Sequence, residues 1–599
     1  MATQRTDLAF VAQVRAALDD EVRAILAEAE AEAEVDGKAH AWGRMQHRRL
    51  AERVKALVAA GDDALLGHAA RLAELLHGLQ GASGLFRGGD NVDSPPDSAF
   101  TINDLADAAL LLRLPGRGGG VAAKSLAAAL DDLLAAATPA LAGGGVHTPN
   151  HRWEISAALA RLHRLAPRAA LAERVQQWLA EGVDIADGLY SERSANYAAF
   201  VSNPSLLVVA EVFDRPDLVD AVERNLAATL DLLLPDGTVE TVLSRRQDQR
   251  WPARLAPYLL PLRRVARLRG RGDLAWAAGV ALAQGIVAPG DAAAALLLDP
   301  AIAGPLPAPV EPVRPRRRVF GEAGLVMDHR PATTAVVFGG SDYPRHGRVR
   351  SGLANSPTFL RLFAGSAVLD SVRLSRTFFG LGPFRGDGLA VHEHPGATTV
   401  VTLGETVAAA YYQPLTAGDR DAGGRYELAD DGRFSAAMDF GRRARDEVTL
   451  TTAVRAEITD AGVSLTVEVA GADVDWALEL AFRPGGAMSG ARPLDAADGS
   501  PAPGRGGDGP ARRRWQLDAL PGGVPVRYQV GSDSLSVTVV EASDGAGGAL
   551  VAAGEPPVYH PGEDYEFLGG TDAATGELLY VGGRAPARLR IDVKADTRE

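Results

Sequence analysis

Two periodicities divide the chain. From about Asp7 to about Leu298 the apolar residues recur every three or four positions, as in Leu105, Ala108, Ala109 and Leu112, or Leu218, Val222, Leu226, Leu230 and Leu233. This spacing collects them on one face of a helix. Clusters of Gly and Pro interrupt the pattern at Pro115-Gly116-Arg117-Gly118-Gly119-Gly120, Gly143-Gly144-Gly145, Asp187-Gly188 and Pro235-Asp236-Gly237. A series of helical hairpins is predicted, and their number predicts an α/α toroid (an incomplete barrel) over residues 1–299, with the turns at one end lining a cleft. The proline-dense run Gly304-Pro305-Leu306-Pro307-Ala308-Pro309-Val310-Glu311-Pro312 cannot hold a helix, so residues 300–318 read as an extended linker. Beyond it the period becomes two. Thr358, Leu360 and Leu362 alternate with Phe359, Arg361 and Phe363, and Val448, Leu450 and Thr452 with Thr449, Thr451 and Ala453. With further strands at 463–469, 535–540 and 589–593, residues 319–599 are predicted to form an antiparallel β-sandwich, multidomain α then β overall. The Gly/Pro/Ala-rich segment from Pro484 to Arg514 reads as a mobile surface loop.

At 599 residues the chain is too long for one growing hydrophobic core, which agrees with two domains. The formal net charge of -14 argues against general nucleic-acid binding and against attraction to anionic membranes, so positive charge for an acidic ligand must be local. With no cysteine, disulfides, thiolate metal sites and cysteine nucleophiles are excluded. No secretory signal is seen after Met1, and no apolar run reads as long and uncharged enough to span a bilayer. The expectation is a cytoplasmic protein acting on oligosaccharide, or a periplasmic or secreted one had a leader been removed. The oligomeric state is left open.

The residues that carry chemistry lie in two stretches, His147-Thr148-Pro149-Asn150-His151-Arg152-Trp153 and Asp187-Gly188-Leu189-Tyr190-Ser191-Glu192-Arg193-Ser194-Ala195-Asn196-Tyr197. An amide, an imidazole, a phenol and guanidinium groups on turns between helices suit removal of a proton beside a carboxylate. In a uronate the neighbouring carboxylate is already negative, and donors must neutralise it before the C5 proton can leave. Asn150, His151 and Arg152 offer such donors at one turn, and Tyr197, four residues after Arg193, can act as base or acid once cations lower its pKa. A second turn, Ser244-Arg245-Arg246-Gln247-Asp248-Gln249-Arg250-Trp251, follows Pro235-Asp236-Gly237 and repeats the earlier order of Asp-Gly, acid and arginine. As an equivalent turn of the toroid it would bring Arg245, Arg246 and Arg250 to the same cleft, with Trp251 or Trp153 stacking on a sugar ring. Singly these residues have plainer readings. Tyrosines in helices are mostly core, arginine clusters mostly solvated, Asp-Gly an ordinary turn, and Asn150 a helix cap.

The order of helical half and strand half, the Asn-His turn, the Asp-Gly-x-x-x-Glu-x-x-x-x-Tyr segment and the Ser-Arg-Arg turn together resemble the heparinase II/III-like and alginate/chondroitin lyase superfamily. The resemblance implies a polysaccharide lyase acting by β-elimination on a uronate-containing glycan, with Asn, His, Tyr and Arg residues at the catalytic centre. It also implies a histidine on the first strands of the β domain, which maps to His346 in Ser341-Asp342-Tyr343-Pro344-Arg345-His346-Gly347-Arg348-Val349-Arg350. Arg348 and Arg350 stand where relatives carry the rest of a His-x-His-x-Asp run. No cofactor is expected. A structural divalent metal in the β domain is left open at His392-Glu393-His394, a pair of imidazoles lacking a third ligand. Two other functions compete with the lyase: a toroidal glycoside hydrolase using Asp187 with Glu240 as its carboxylate pair, and a non-catalytic glycan-binding protein.

Overall fold

A computed structural model describes residues 6–34, 46–250, 252–346, 352–394, 398–494, 512–552 and 574–596. The chain divides into two compact units. One comprises Met1–Leu230 with Ala253–Val313, the other Asp231–Pro252 with Arg314–Glu599. Residues 231–252 therefore group with the strands, although they sit in the helical half of the sequence.

The first unit is the helical toroid. The helices Gln46–Ala60, Pro95–Leu112, His151–Leu165, Asn203–Phe213 and Leu259–Arg269 pack each on the next, and Pro289–Leu298 packs back on Gln46–Ala60. Between them in sequence come Asp63–Leu79, Val121–Gly143, Ala169–Ala180 and Gly272–Ala283, which return the chain along the outside. Side-chain pairing fixes the direction of the first ring. Arg48 pairs with Asp97 and Lys55 with Asp104, seven residues on in both helices. Phe100 meets His151, Asn103 meets Glu154, Glu154 meets Ser205 and Arg164 meets Glu211. Partners advance together, so these helices run parallel and their N-termini share one end.

Val121–Gly143 corrects one expectation. At 23 residues with a mean hydropathy of 1.3 it is, by length and composition, apolar enough to cross a membrane. Here Leu126, Leu130, Leu133 and Leu134 are buried and the helix packs on Asp63–Leu79 and Pro95–Leu112. Its alanines make it apolar on the remaining face as well.

The second unit is an antiparallel β-sandwich with a nine-stranded and an eight-stranded sheet around one core, which includes Leu362, Leu374, Leu480, Leu465, Val537 and Ile591. Four predicted strands fall within Arg445–Thr459, Gly462–Gly471, Asp533–Ser543 and Ala587–Asp596, and the one expected from Thr358 begins at Leu360, in Leu360–Ala364. Two expectations change. The segment 484–514 is strand at both ends, Ala487–Ser489, Arg492–Pro493 and Arg512–Gln516, and the last of these makes a parallel pair in an otherwise antiparallel sheet. Its middle lies outside the described residues. The alternation around Leu360 also does not separate core from solvent, because Arg361 is only 2% exposed and its guanidinium lies 3.3 Å from buried Glu240. Residues 231–252 cover that face of the sheet.

Candidate functional site

Asn150 and His151 lie where the His151–Leu165 helix begins, at the end of the ring that gathers helix N-termini. Asn150 occupies the N-cap position yet makes no side-chain cap bond, so the capping alternative is not realised. Instead Thr148 Oγ1 donates to Asn150 Oδ1 at 2.8 Å, which fixes the amide plane. Asn150 is 1% exposed, and its Nδ2 donor is buried without a hydrogen-bond partner. An orphaned buried N–H₂ costs about 1–3 kcal/mol, a cost that a ligand oxygen would remove. The His151 ring is held edge-on between His147, at 4.8 Å, and Phe100, at 6.4 Å. Helix N-termini carry partial positive charge that favours anions within the first turn, so this rim suits a carboxylate.

Tyr197 is set by a different device. Asp187 and Arg193 both adopt left-handed backbone, at φ 52° and 51°, a conformation that costs energy outside glycine and concentrates at functional sites. On either side of Asp187 the strands Ile185–Ala186 and Leu189–Tyr190 form a two-stranded hairpin. Gly188 is required at its turn, because a Cβ there would lie 2.6 Å from Ala228 Cβ and 2.7 Å from the Arg224 carbonyl. Tyr190 is buried and donates to Asn203 Oδ1 at 2.8 Å. Asn203 in turn donates to Asn225, and Asn225 to the Gly188 carbonyl, closing the loop onto two helices. Burial pushes the Tyr190 phenol up, so it stays protonated.

Tyr197, by contrast, is half-buried at the end of the short Ala195–Tyr197 helix. Ser194 caps that turn by accepting from the Tyr197 N–H at 3.1 Å, and the Tyr258 hydroxyl donates to the Ala195 carbonyl at 2.7 Å. The next residues, Ala198–Ser202, are π-helical, a widening frequent at functional sites, and they pack on the His151–Leu165 helix.

The remaining expected residues divide. Arg152 pairs with Glu181 at 2.8 Å and lies over the Trp153 ring, and Trp153 is 3% exposed, so the indole is packed inside the helical unit and is corrected from a sugar platform to a core residue. Arg193 is half-buried. Arg245 belongs to the β unit and donates from Nε and Nη2 to both carboxylate oxygens of Asp342, at 2.8 and 3.0 Å. Asp342 also accepts from the Ala354 N–H and opens the Tyr343–His346 turn, where His346 is exposed. Arg246 and Arg250 are half-buried in the β unit, the Arg250 carbonyl accepting from Arg361 at 3.2 Å. The Ser-Arg-Arg turn is thus not an equivalent turn of the toroid. Trp251 lies outside the described residues.

Glu240 accepts the N–H groups of Thr241 and Val242 and faces Arg361, which commits the carboxylate to holding the chain. Among the described residues no cluster of three metal-binding side chains occurs; His392 is exposed, and the side chains of Glu393 and His394 fall outside the description.

The sequence reading missed the interior of the ring. A cavity of about 350 Å³ opens there, lined among others by Arg48, Phe100, Glu154, Ala199 and Phe200. One turn inside His151, Glu154 accepts from Asn103 at 2.7 Å and Ser205 at 3.1 Å, and burial raises its pKa. Deeper, Lys55 bridges Asp104 and Asp291, and Arg161 grips Asp107 with two bonds of 2.7 and 3.0 Å. Burial alone would lower the Lys55 pKa, but the two aspartates reverse this and keep it charged. The signal was present: Arg48, Glu52 and Lys55, and Phe100, Asp104 and Asp107, recur at i, i+4 and i+7. Such stripes ordinarily read as solvated faces.

No family model matches the chain, and no curated protein sequence matches it. Solved structures of similar fold include two of heparinase III. The crystal structure of heparinase III aligns with a TM-score of 0.52 and 11% identity, covering 92% of this chain and 74% of that one. The heparinase III BT4657 gene product, with methylated lysines, aligns with a TM-score of 0.52 and 10% identity, covering 92% and 77%. The fold expected from the resemblance, helical toroid followed by antiparallel sandwich, is the fold observed.

Proposed function

We propose that this protein cleaves a uronate-containing oligo- or polysaccharide by β-elimination. The observation that carries the reading is the buried Asn150 amide, whose Nδ2 has no hydrogen-bond partner, beside His151 at the end of the toroid where parallel helices gather their N-termini. That rim can neutralise a carboxylate, and the heparinase III fold supports a glycan lyase. Asn150 Nδ2 and the rim dipoles bind the substrate carboxylate, and the withdrawal of charge acidifies C5. The C5 proton passes to the base supplied by Tyr197 with His151. Its electron pair forms the C4=C5 double bond, the C4–O bond breaks, and the departing oxygen takes up a proton from the acid. Arg193 is a further candidate for charge stabilisation.

The hydrolase reading loses support, since Glu240 is held by two backbone N–H groups and Arg361. A non-catalytic glycan-binding protein would use the same rim without turnover. The test is to incubate the full-length protein with a panel of acidic glycans and follow ultraviolet absorbance. An increase from conjugated unsaturated uronate supports elimination. New reducing ends without absorbance would establish hydrolysis, and binding with no product would establish the non-catalytic role.

A further inference from the structure

The cavity inside the helical ring has a shape and a lining that speak to how a glycan would be cut. Its position ties it to the proposed site, because Phe100 meets His151 edge-on, Glu154 lies one turn after His151, and Ala199 lies two residues after Tyr197. Its rim carries Phe200 and Val287, each 45% exposed, so it is open where the helix N-termini are. At its other end Lys55, Arg161 and Asp291 line both this cavity and a second, smaller one of about 180 Å³, and the ion pairs of Lys55 with Asp104 and Asp291 and of Arg161 with Asp107 stand at the waist that the two share. At about 350 Å³ it falls at the small end of ligand pockets, which hold a compact molecule and not a length of polymer.

The lining is of mixed sign. Arg48 is anchored by Asp97 and lies 3.8 Å over the Phe100 ring, while Glu52 and Glu154 supply acceptors whose pKa burial raises. Such a wall hydrogen-bonds hydroxyls in both directions and offers aromatic faces to a ring, but it already disfavours further negative charge. The helix-dipole attraction for anions is confined to the first turn above it.

We infer that this cavity seats the terminal sugar of the glycan, entering by its uncharged face, so that the protein shortens its substrate from one end and releases small unsaturated products. The inference rests on the elimination reading for the chemistry, and on the cavity alone for the seating.

Two measurements test it. The polymer that gives unsaturated product is digested by the full-length protein while product size is followed. The expected result is mono- or disaccharide from the first time point with slow loss of viscosity, and an early spread of intermediate sizes overturns the inference. Independently, an unsulfated tetrasaccharide alternating glucuronate and N-acetylhexosamine is titrated calorimetrically into Tyr197→Phe, with and without Val287→Trp. The indole at the exposed rim should fill the mouth and weaken binding tenfold or more at unchanged thermal stability. Equal affinity in the two proteins overturns the seating. If no polymer yields unsaturated product, the elimination reading fails while this titration still decides the cavity.

Discussion

Two Asp-Gly turns, 187–188 and 236–237, look alike in sequence and end in different places. The first stays in the helical unit, where Tyr190, Asn203 and Asn225 pin it to two helices. Seven residues after Tyr190 the chain presents Tyr197 half-exposed. The second turn leaves the helices and lies on the nine-stranded sheet, where Asp236 pairs with Arg483, Glu240 with Arg361 and Arg245 with Asp342. One segment uses its polar residues to tie a turn to two helices ahead of a half-exposed phenol, and the other uses them to attach a strap. The local pattern of acid, turn and arginine does not distinguish the two. What distinguishes them is the element each packs on: two helices for the first, the nine-stranded sheet for the second.

The largest effect should come from the strap. Arg361→Ala leaves Glu240 buried without its cation, a change that typically costs about 3–5 kcal/mol. Chemical denaturation of the variant should show the β unit unfolding at clearly lower denaturant; an unchanged midpoint would mean that the pair contributes nothing. Tyr197→Phe should do the opposite, lowering turnover by roughly two orders of magnitude or more while thermal unfolding stays put. Near-normal activity in that variant would return Tyr197 to the status of an ordinary half-buried residue.

Asn150→Ala separates cap from ligand. Because its side chain makes no cap bond, stability should fall by less than the roughly 1 kcal/mol of a lost cap, whereas the rate should drop about tenfold or more through KM and kcat together. A lost cap's worth of stability at unchanged rate would reverse the assignment. The smallest effect is shared by both units. Burial pushes His47 in the toroid and His329 in the sandwich down to about 4 from the ordinary 6.5. The folded protein therefore resists protons that the unfolded chain accepts below 6.5. The stabilisation is complete above that pH and declines as pH falls toward 4. Unfolding measured in steps from pH 7 to 4 should become easier, and His329→Gln should flatten part of that slope.

Sequence periodicity by itself determined the two classes of element and their order, because a 3.6-residue or two-residue repeat of apolar side chains can bury itself in only one way. Local motifs also offered Asn150, His151 and Tyr197 as candidates, since an Asn-His pair ahead of a helix and a tyrosine after an Asp-Gly turn can be read without the fold. What only the tertiary structure decided is where each charge ends. Arg152, Arg245 and Arg361 are the same side chain in sequence, yet the fold matches them to Glu181, Asp342 and Glu240. Trp153 went to the core, residues 231–252 to the sheet, and the stripe from Arg48 to Lys55 to a cavity wall. The physical reason is that apolar burial is additive along an element and legible in its period, whereas the fate of a charge depends on which opposite charge arrives from a distant part of the chain.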